Sequence, residues 1–265
     1  MTERDLPTLG FIGTGTINSA LVRAFCRSDG PAHPIVVSPR SAERAAALKQ
    51  EFPSRVRVAA SMQEVADAAD CIFVAVLPKA VEEVYRSLHI DDTKHIIDLI
   101  PNVTEDQIRD WTGFKGEISH IIPLSFVADL RGPVVLYPSR SSIRSLLEEI
   151  SDPVLLDDRL QVAAAQVLTC FQAPYFTLLE ALVDWAEEQG FDPETATSCV
   201  TGIFKAQSEQ VNGVSRERLH ELAGEFTPGG YNWRSREHIG ENGGYALWTD
   251  SARQLMELLT SVLGK

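Results

Sequence analysis

The first half of the chain alternates short apolar runs with longer amphipathic stretches, and this alternation limits the fold more than any other feature. The apolar runs predict eight strands: TLGFIG, PIVVS, VRVA, DCIFVAVL, KHIIDLI, EISHII, GPVVLYP and PVLLDD. Most of the stretches between them, such as SAERAAALKQEF, have apolar residues at helical spacing. Continuous apolar strands that alternate with helices form a mostly parallel sheet covered by helices on both faces. The sequence therefore predicts an α/β domain.

From about residue 158 only the helical pattern remains. Apolar residues recur at a spacing of three to four in RLQVAAAQVL, APYFTLLEALVDWAEEQG, PETATSCVTGIFKAQSEQV and YALWTDSARQLMELLTSVL. Gly190 suits the end of a helix and Pro193 the first turn of the next one, which predicts a tight connection between them. We therefore expect two domains, an α/β domain over residues 1–157 and an all-helical domain over residues 158–265.

Composition excludes several classes of partner. The 265 residues include 24 basic and 37 acidic side chains, and the resulting net charge of −13 repels nucleic acid and anionic membranes. We see no apolar run near the roughly 20 residues that span a bilayer, and the N-terminal residues are polar. The four cysteines are far apart, which argues against a zinc site and against a disulfide framework. A cytoplasmic protein without a metal is expected.

GFIGTGTINSA, residues 10–20, lies where the first predicted strand meets the first predicted helix. Gly13 would allow a tight turn, and Gly15 would let the backbone approach a pyrophosphate at the helix N-terminus. Asn18 occupies the place of the third glycine of a dinucleotide-binding fingerprint, which serves helix–strand packing. The stretch therefore predicts a dinucleotide site, the alternative being a glycine turn without a ligand.

The segment after the second strand indicates which dinucleotide would bind. NAD-selective folds place Asp or Glu about 20 residues after the glycines, to bind the ribose 2′-hydroxyl. Here VVSPRSAER offers Ser38, Arg40, Ser41 and Arg44, with no acidic residue at the strand tip. A hydroxyl and a guanidinium suit a 2′-phosphate, so we predict NADPH with Ser38 and Arg40 as contacts. The alternative is that both arginines are solvated helix charges.

Five motifs, taken in order along the chain, resemble those of the pyrroline-5-carboxylate reductase family, NADPH-dependent enzymes that reduce a cyclic imine to proline. They are GFIGTGTIN, AVLPKAV, VLYP, the EAL that precedes Gly190, and TPGGYN. The resemblance implies a Rossmann domain followed by a helical dimerisation domain, and hence a homodimer or a higher homo-oligomer. With the glycine loop and the second-strand tip, it predicts these cofactor contacts: Gly13, Thr14, Gly15, Thr16, Ile17, Ser38, Arg40, Val76, Leu77 and Pro78.

The last motif, TPGGYN, is similar to the family's S-P-G-G-T-T loop, which binds the substrate carboxylate. The resemblance implies that Thr227, Gly229, Gly230 and Asn232 hold a small anionic imine here, between the nicotinamide and the helices of a partner subunit. Successive amides in a glycine loop can form such an anion-binding nest. A Pro-Gly-Gly loop that only joins two helices is the alternative.

Two segments depart from the family pattern. The family's M-P-N-T-P reads IPLSF at residues 122–126, and its S-G-S-G-P-A-Y corresponds to about LTCFQAP at residues 168–174. Both replacements introduce larger and more apolar side chains. They predict a bulkier or less polar imine than pyrroline-5-carboxylate, or a loss of catalysis.

Reduction of a C=N bond requires little from the protein beyond positioning and one proton, because the cofactor supplies the hydride. We predict Tyr231, Thr169 and Ser125 as the catalytic residues, and Cys170 and His120 are further candidates for the proton donor. Packing or capping roles would also explain each of them.

Two other functions fit the sequence. One is a protein that binds NADP(H) without turnover, as a sensor or partner subunit. The other is a hydroxy-acid dehydrogenase, although that class normally has a lysine or histidine on the first long helix of its second domain. Residues 159–182 contain neither.

Overall fold

The computed structural model describes residues 6–263, and all eight predicted strands are present. The strands are β1 (Leu9–Ile12), β2 (Ile35–Val37), β3 (Val56–Val58), β4 (Cys71–Val74), β5 (His95–Asp98), β6 (Glu117–Ile122), β7 (Val135–Tyr137) and β8 (Val154–Leu155). They form one sheet in the order β3-β2-β1-β4-β5-β6-β7-β8. The first six strands are parallel, β7 is antiparallel to β6, and β8 is parallel to β7. The predicted mostly parallel α/β architecture is therefore confirmed.

Helices connect and follow the strands. Those of the sheet-containing half are α1 (Thr16–Arg27), α2 (Ala42–Glu51), α3 (Met62–Ala68), α4 (Val81–Arg86), α5 (Glu105–Thr112) and α6 (Arg144–Glu148). The rest are α7 (Arg159–Thr169), α8 (Gln172–Glu188), α9 (Pro193–Gln210), α10 (Arg216–Gly224), α11 (Tyr231–Glu241) and α12 (Gly244–Leu263). Apolar spacing did not predict α5, α6, α10 or α11. For α10 and α11 the reason is physical: polar and charged side chains predominate in RERLHELAG and YNWRSREHIGE, so the apolar spacing is weak.

The core lies on both faces of the sheet, in two clusters of buried side chains. In one of them the rings of Phe11 and Phe73 stack across β1 and β4 with centroids 4.7 Å apart. Gly10 lets helix α3 approach the other face of β1, since a Cβ at this position would lie 2.5 Å from the Cβ of Ala69. This packing fixes the carboxyl ends of β1, β4, β5 and β6 along one edge of the sheet. The chain order reverses at the β1–β4 pair, and such a point is where open α/β sheets bind ligands.

The chain divides into two compact units. The first contains the sheet, runs to Gln166 and takes in the segment from Leu259 onward. The second is helical and comprises Val167–Leu258. The predicted domain boundary, between residues 157 and 158, lies just before α7.

The helical unit hides little apolar surface within one chain. Its buried residues, among those that the structure describes, are Val167, Ala186 and Ala196. Large apolar side chains remain exposed, including Trp185 at 59% and Leu247 at 67%. One chain alone therefore gives this unit almost no core.

The stretch Arg159–Glu188, which contains α7 and α8, is long and apolar enough to cross a membrane by length and composition, and 11% of its most apolar window is buried. This differs from the expectation that no such stretch exists. The reason is that residues 162–179 include Gln, Thr and Pro, but no charged side chain. Length and composition do not distinguish a membrane span from a helix whose apolar face packs against protein.

Candidate active site

The β1–α1 loop has the geometry that a pyrophosphate needs. Gly13 has φ +85°, and a Cβ there would lie 2.2 Å from the carbonyl oxygen of Ala75, so only glycine fits. Gly15 directly precedes α1, where no side chain caps the helix, and a Cβ on it would meet no atom within 4 Å. The open space at Gly15 and the first-turn amides of α1 fit a bound phosphate.

Ser38 stabilises this loop through two hydrogen bonds. Its hydroxyl accepts a hydrogen bond from the Gly13 N–H at 2.9 Å, and the Thr14 hydroxyl donates to the Ser38 carbonyl at 2.7 Å. Both side chains are buried. The prediction that the Ser38 hydroxyl contacts a 2′-phosphate is therefore corrected: this group holds the glycine loop, and Thr14 presents only its backbone.

Two arginines remain as basic groups beyond β2. Arg40 and Arg44 are both exposed, and Arg44 Nη1 donates to the Thr16 hydroxyl at 3.1 Å. That bond brings a guanidinium to the start of α1. Ser41, between the two arginines, has φ +67° and precedes the first residue of α2.

Asn18 ties α1 to the strand that it follows. Its Nδ2 donates to the carbonyl oxygens of Ile12 and Gly13, each at 3.0 Å, and the side chain is fully buried. An asparagine in place of the third glycine thus adds two hydrogen bonds to the loop. This is a packing role, as the sequence indicated, and it leaves the Gly15 opening unaltered.

The remaining predicted cofactor contacts lie beside this loop. Residues 76–78 follow β4, with Val76 half-buried, Leu77 62% exposed and Pro78 starting a short 3₁₀ helix. A Cβ on Gly13 would lie 3.0 Å from Val76 Cγ1, so the two segments adjoin. Ile17, in the first turn of α1, is half-buried.

A cavity of about 60 Å³ opens at the carboxyl ends of β5 and β6. It is much smaller than the roughly 300–1,000 Å³ of a pocket for a drug-sized ligand. Its lining includes apolar residues such as Ile100, Ile122 and Val162. The polar groups in its wall are those of Asp98, Asn102, His120, Arg159 and Gln166.

A buried carboxylate and a histidine meet in this wall. Asp98 is fully buried, and its Oδ2 lies 3.2 Å from Nδ1 of His120. The Tyr85 hydroxyl donates to Asp98 Oδ1 at 2.8 Å, and the Ile100 N–H donates to Oδ2 at 3.1 Å. Burial, together with the Asp98 charge, raises the pKa of Tyr85 well above its ordinary value, so the phenol keeps its proton. An ionised Asp98 can only accept hydrogen bonds, which places a proton on Nδ1 of His120.

The other nitrogen of His120 faces an ion pair. Glu105 Oε1 lies 3.6 Å from Nε2, and Arg159 Nη2 lies 3.4 Å from it. The other oxygen of Glu105 pairs with Arg159, whose guanidinium lies 5.1 Å from the centre of the Tyr137 ring. Burial lowers the pKa of Arg159, although the charge of Asp98 opposes this shift. Sequence reasoning noted His120 alone. An available signal was Asp98 itself, a carboxylate within the apolar run KHIIDLI.

The three predicted catalytic residues are placed differently. Ser125 is exposed at the start of a 3₁₀ helix, and it is not among the described residues that line the cavity. Thr169, half-buried, ends α7, and Tyr231, 93% exposed, begins α11. Ser125 belongs to the first unit, whereas Thr169 and Tyr231 belong to the second. Their catalytic role stays a prediction.

The TPGGYN segment forms the N-terminus of α11. Gly229 has φ +77°, and Gly230 is the residue that precedes the helix, without a side-chain cap. The Gly230 N–H already donates to the carbonyl of Thr227 at 3.0 Å. Amides free for an anion are therefore those of the first helical turn, which starts at Tyr231 and Asn232. Arg234 lies close by, with its Nε donating to the Gly229 carbonyl at 2.8 Å.

Comparison with known proteins agrees with this geometry. The family described as "NADP oxidoreductase coenzyme F420-dependent" matches residues 8–102. Pyrroline-5-carboxylate reductase 2 of Bacillus subtilis is 25% identical over 236 residues, covering 84% of this chain and 83% of its own. The crystal structure of 1-pyrroline-5-carboxylate reductase from Streptococcus pyogenes superposes with a TM-score of 0.82 at 18% identity, over 97% of this chain and 99% of the other. The chain is thus similar to pyrroline-5-carboxylate reductases in sequence and, over nearly its whole length, in fold.

Two further solved structures have the same fold. The Plasmodium falciparum pyrroline carboxylate reductase, solved with NADP bound, gives a TM-score of 0.77 at 17% identity, covering 97% of this chain and 98% of the other. An imine reductase from Pseudomonas sp. gives 0.59 at 18% identity, covering 97% and 93%. The pyrroline-5-carboxylate reductase fold thus extends over nearly the whole chain, and the divergence lies in the sequence.

Proposed function

We propose that the protein is an NAD(P)H-dependent oxidoreductase that reduces a C=N bond, and more specifically that NADPH reduces a cyclic imino acid. One observation carries the proposal: the open Gly13–Gly15 loop and the cavity beside Asp98 and His120 lie at the same carboxyl edge of one parallel sheet. β4 separates them in the strand order. A dinucleotide held at the loop extends along such an edge, so its reactive end would lie toward the cavity.

The chain's own residues would hold the cofactor in three places. Amides of the first turn of α1 bind the pyrophosphate at Gly15, and residues 76–78 border the dinucleotide beyond β4. Arg40 and Arg44 hold the 2′-phosphate, which favours NADPH over NADH because a guanidinium pairs with phosphate. The NADP-bound relative from Plasmodium falciparum supports this assignment. When bound, the cofactor supplies a hydride.

The substrate would be a small anionic imine, pyrroline-5-carboxylate or a bulkier analogue. Its carboxylate would bind the uncapped first turn of α11 at Thr227–Asn232, where the amides and the nearby Arg234 favour an anion. Ser125, Thr169 and Tyr231 are proposed as hydroxyl contacts of the substrate. The named relatives act on pyrroline-5-carboxylate, which supports a ring of this size and a place in proline biosynthesis.

A second copy of the chain would cover the exposed apolar surface of the helical unit. The helical unit exposes large apolar side chains, Trp185 and Leu247 among them, and has almost no core within one chain. A stable dimer commonly buries about 1,200–2,000 Å². We propose that such an interface covers this surface, in a homodimer or a higher homo-oligomer. A cytoplasmic location fits the four cysteines, which are all free thiols.

The experiment is an NADPH-oxidation screen. It uses five- and six-membered cyclic imino acids as substrates, and it tests hydroxy acids with NADP⁺ in the reverse direction. Oxidation of NADPH with an imino acid supports the proposal. Activity on hydroxy acids alone would make the protein a dehydrogenase of that class, and NADPH binding without any turnover would make it a sensor or partner subunit.

A further inference from the structure

We propose that His120 donates the proton to the imine nitrogen, and that Asp98 is the positioning residue that keeps its imidazole in place. This inference rests on the proposed reduction of a C=N bond and names the residue that completes it. The argument starts from where these side chains are, which is the wall of the cavity at the ends of β5 and β6.

The Asp98 carboxylate fixes the orientation of the His120 imidazole. Asp98 is fully buried and receives hydrogen bonds from the Tyr85 hydroxyl and the Ile100 amide, so its carboxylate cannot turn away. With Nδ1–H directed at Asp98, only Nε2 remains to exchange a proton with a ligand. A histidine held by a carboxylate in this way has a defined tautomer.

The Nε2 atom of His120 has a neighbour that can interact favourably with it whether the imidazole is neutral or protonated. Arg159 can donate to a neutral Nε2, and Glu105 can attract a protonated one. Asp98 and Glu105 carry two negative charges and Arg159 one positive charge, so a protonated His120 makes the cluster neutral. Tyr137, whose ring centre is 6.2 Å from that of His120, adds no charge on the β7 side. Glu105 is partly exposed, which gives the imidazole a route to protons from solvent.

The reaction balances with this assignment. Hydride and its electron pair pass from NADPH to the imine carbon, forming a C–H bond and leaving NADP⁺. The π electrons of the C=N bond move to nitrogen, which forms an N–H bond with the proton released from His120 Nε2. The neutral imidazole then takes a proton from solvent. General-acid catalysis of this kind contributes about 10²–10⁴-fold to a rate.

The decisive experiment compares two substrates that differ only in their need for a proton. The imine is 1-pyrroline-5-carboxylate, and the second substrate is its N-methyl iminium derivative, whose nitrogen already carries a permanent positive charge. At pH 8 we expect His120→Gln to lower kcat on the imine by about 100-fold and to leave kcat on the iminium nearly unchanged. NADPH binding, followed by fluorescence titration, should be unaltered.

His95→Gln is the matched control. His95 is as buried as His120 but lies at the opposite end of β5, where it bonds to the hydroxyls of Ser119 and Ser142. Its loss should affect both substrates alike. Asp98→Asn should reproduce the selective loss on the imine and alter the pH profile of kcat, which provides a second test if His120→Gln does not fold.

The outcomes separate this inference from the proposed function. If the wild-type protein reduces neither these two substrates nor their six-membered analogues, the proposed function fails; if it reduces only the six-membered pair, the same comparison is made with that pair. If it reduces both, and His120→Gln lowers both equally or neither, the inference alone is overturned. Selective loss on the imine in Tyr231→Phe, with His120→Gln fully active, would likewise overturn it in favour of Tyr231.

Discussion

Asp98 and His120 are direct neighbours across β5 and β6, in register with each other, and Asp98 Oδ2 lies 3.2 Å from His120 Nδ1. In a parallel pair, residues in register point to the same face of the sheet. The pairing therefore follows from the alignment of His95–Asp98 with Glu117–His120. This alignment places a carboxylate and an imidazole together in the wall of the cavity.

The two glycines of the β1–α1 loop should respond differently to alanine. Gly13→Ala adds a methyl group against the Ala75 carbonyl at a residue with φ +85°, so we expect it to destabilise the protein by at least about 1–2 kcal/mol. Gly15→Ala meets nothing in the protein and should leave the free energy of unfolding nearly unchanged. Urea unfolding measures both values, and an equally large loss in Gly15→Ala would contradict the loop geometry.

Gly15→Ala should nevertheless weaken cofactor binding, because its methyl group occupies the space assigned to the pyrophosphate. A rise of at least tenfold in the Kd for NADPH is expected by fluorescence titration. Gly224→Ala, at another glycine with open space around it and no positive φ, serves as a control whose Kd should not change. Unaltered NADPH binding in Gly15→Ala would show that the pyrophosphate does not bind at this loop.

Arg40→Ala and Arg44→Ala should each raise the Kd for NADPH more than that for NADH. A charged hydrogen bond contributes about 1.5–3 kcal/mol, which corresponds to roughly a tenfold or greater change in Kd. Arg86→Ala is the control, since Arg86 is an exposed arginine of α4 that pairs with Glu82. Equal effects on NADPH and NADH would show that the two arginines do not bind the 2′-phosphate.

Cys26 and Cys71 should react slowly with thiol reagents. Burial raises the pKa of Cys26 to about 11, with Arg55 opposing the shift, and raises that of Cys71 to about 12. Both thiols are therefore protonated at pH 8, and their reaction rates should rise roughly tenfold per pH unit up to those values. Labelling followed by peptide mass spectrometry measures each cysteine, with the urea-unfolded protein as reference. Fast labelling of Cys71 in the native protein would contradict its burial.

The helical unit should need a second copy of the chain. Trp185→Glu and Leu247→Glu each place a charge on the exposed apolar surface, and we expect them to convert a dimer or larger assembly into monomers or aggregates. Light scattering after size exclusion gives the mass. Glu209→Gln, at an exposed position of α9, should leave the mass unchanged. A wild-type protein that stays monomeric at micromolar concentration would contradict the proposed interface.

Much of the fold could be predicted from the sequence, since buried strands appear as continuous apolar runs and amphipathic helices as apolar residues at a spacing of three to four. The glycine loop was recognisable from its two glycines: a side chain at Gly13 would clash with the Ala75 carbonyl, and one at Gly15 would fill the space assigned to the pyrophosphate. The role of Ser38 could not be predicted, because a serine at a strand tip can face either the loop or the solvent, and burial decides which.

The cluster around His120 could not be predicted from the sequence for a different reason. Its members come from α4, β5, α5, β6 and α7, and only strand register and helix packing bring them together. Asp98 stood out as a carboxylate in an apolar run, but its partner depends on the alignment of β5 with β6. No spacing in the sequence encodes that alignment.

The most direct test of the central claim is NADPH oxidation by the purified protein with 1-pyrroline-5-carboxylate and its six-membered analogue. The account predicts NADPH-dependent reduction of at least one of these imines, with the amine formed in equal amount to the NADPH consumed. Tight NADPH binding with no imine reduced, or activity confined to hydroxy acids, would contradict it.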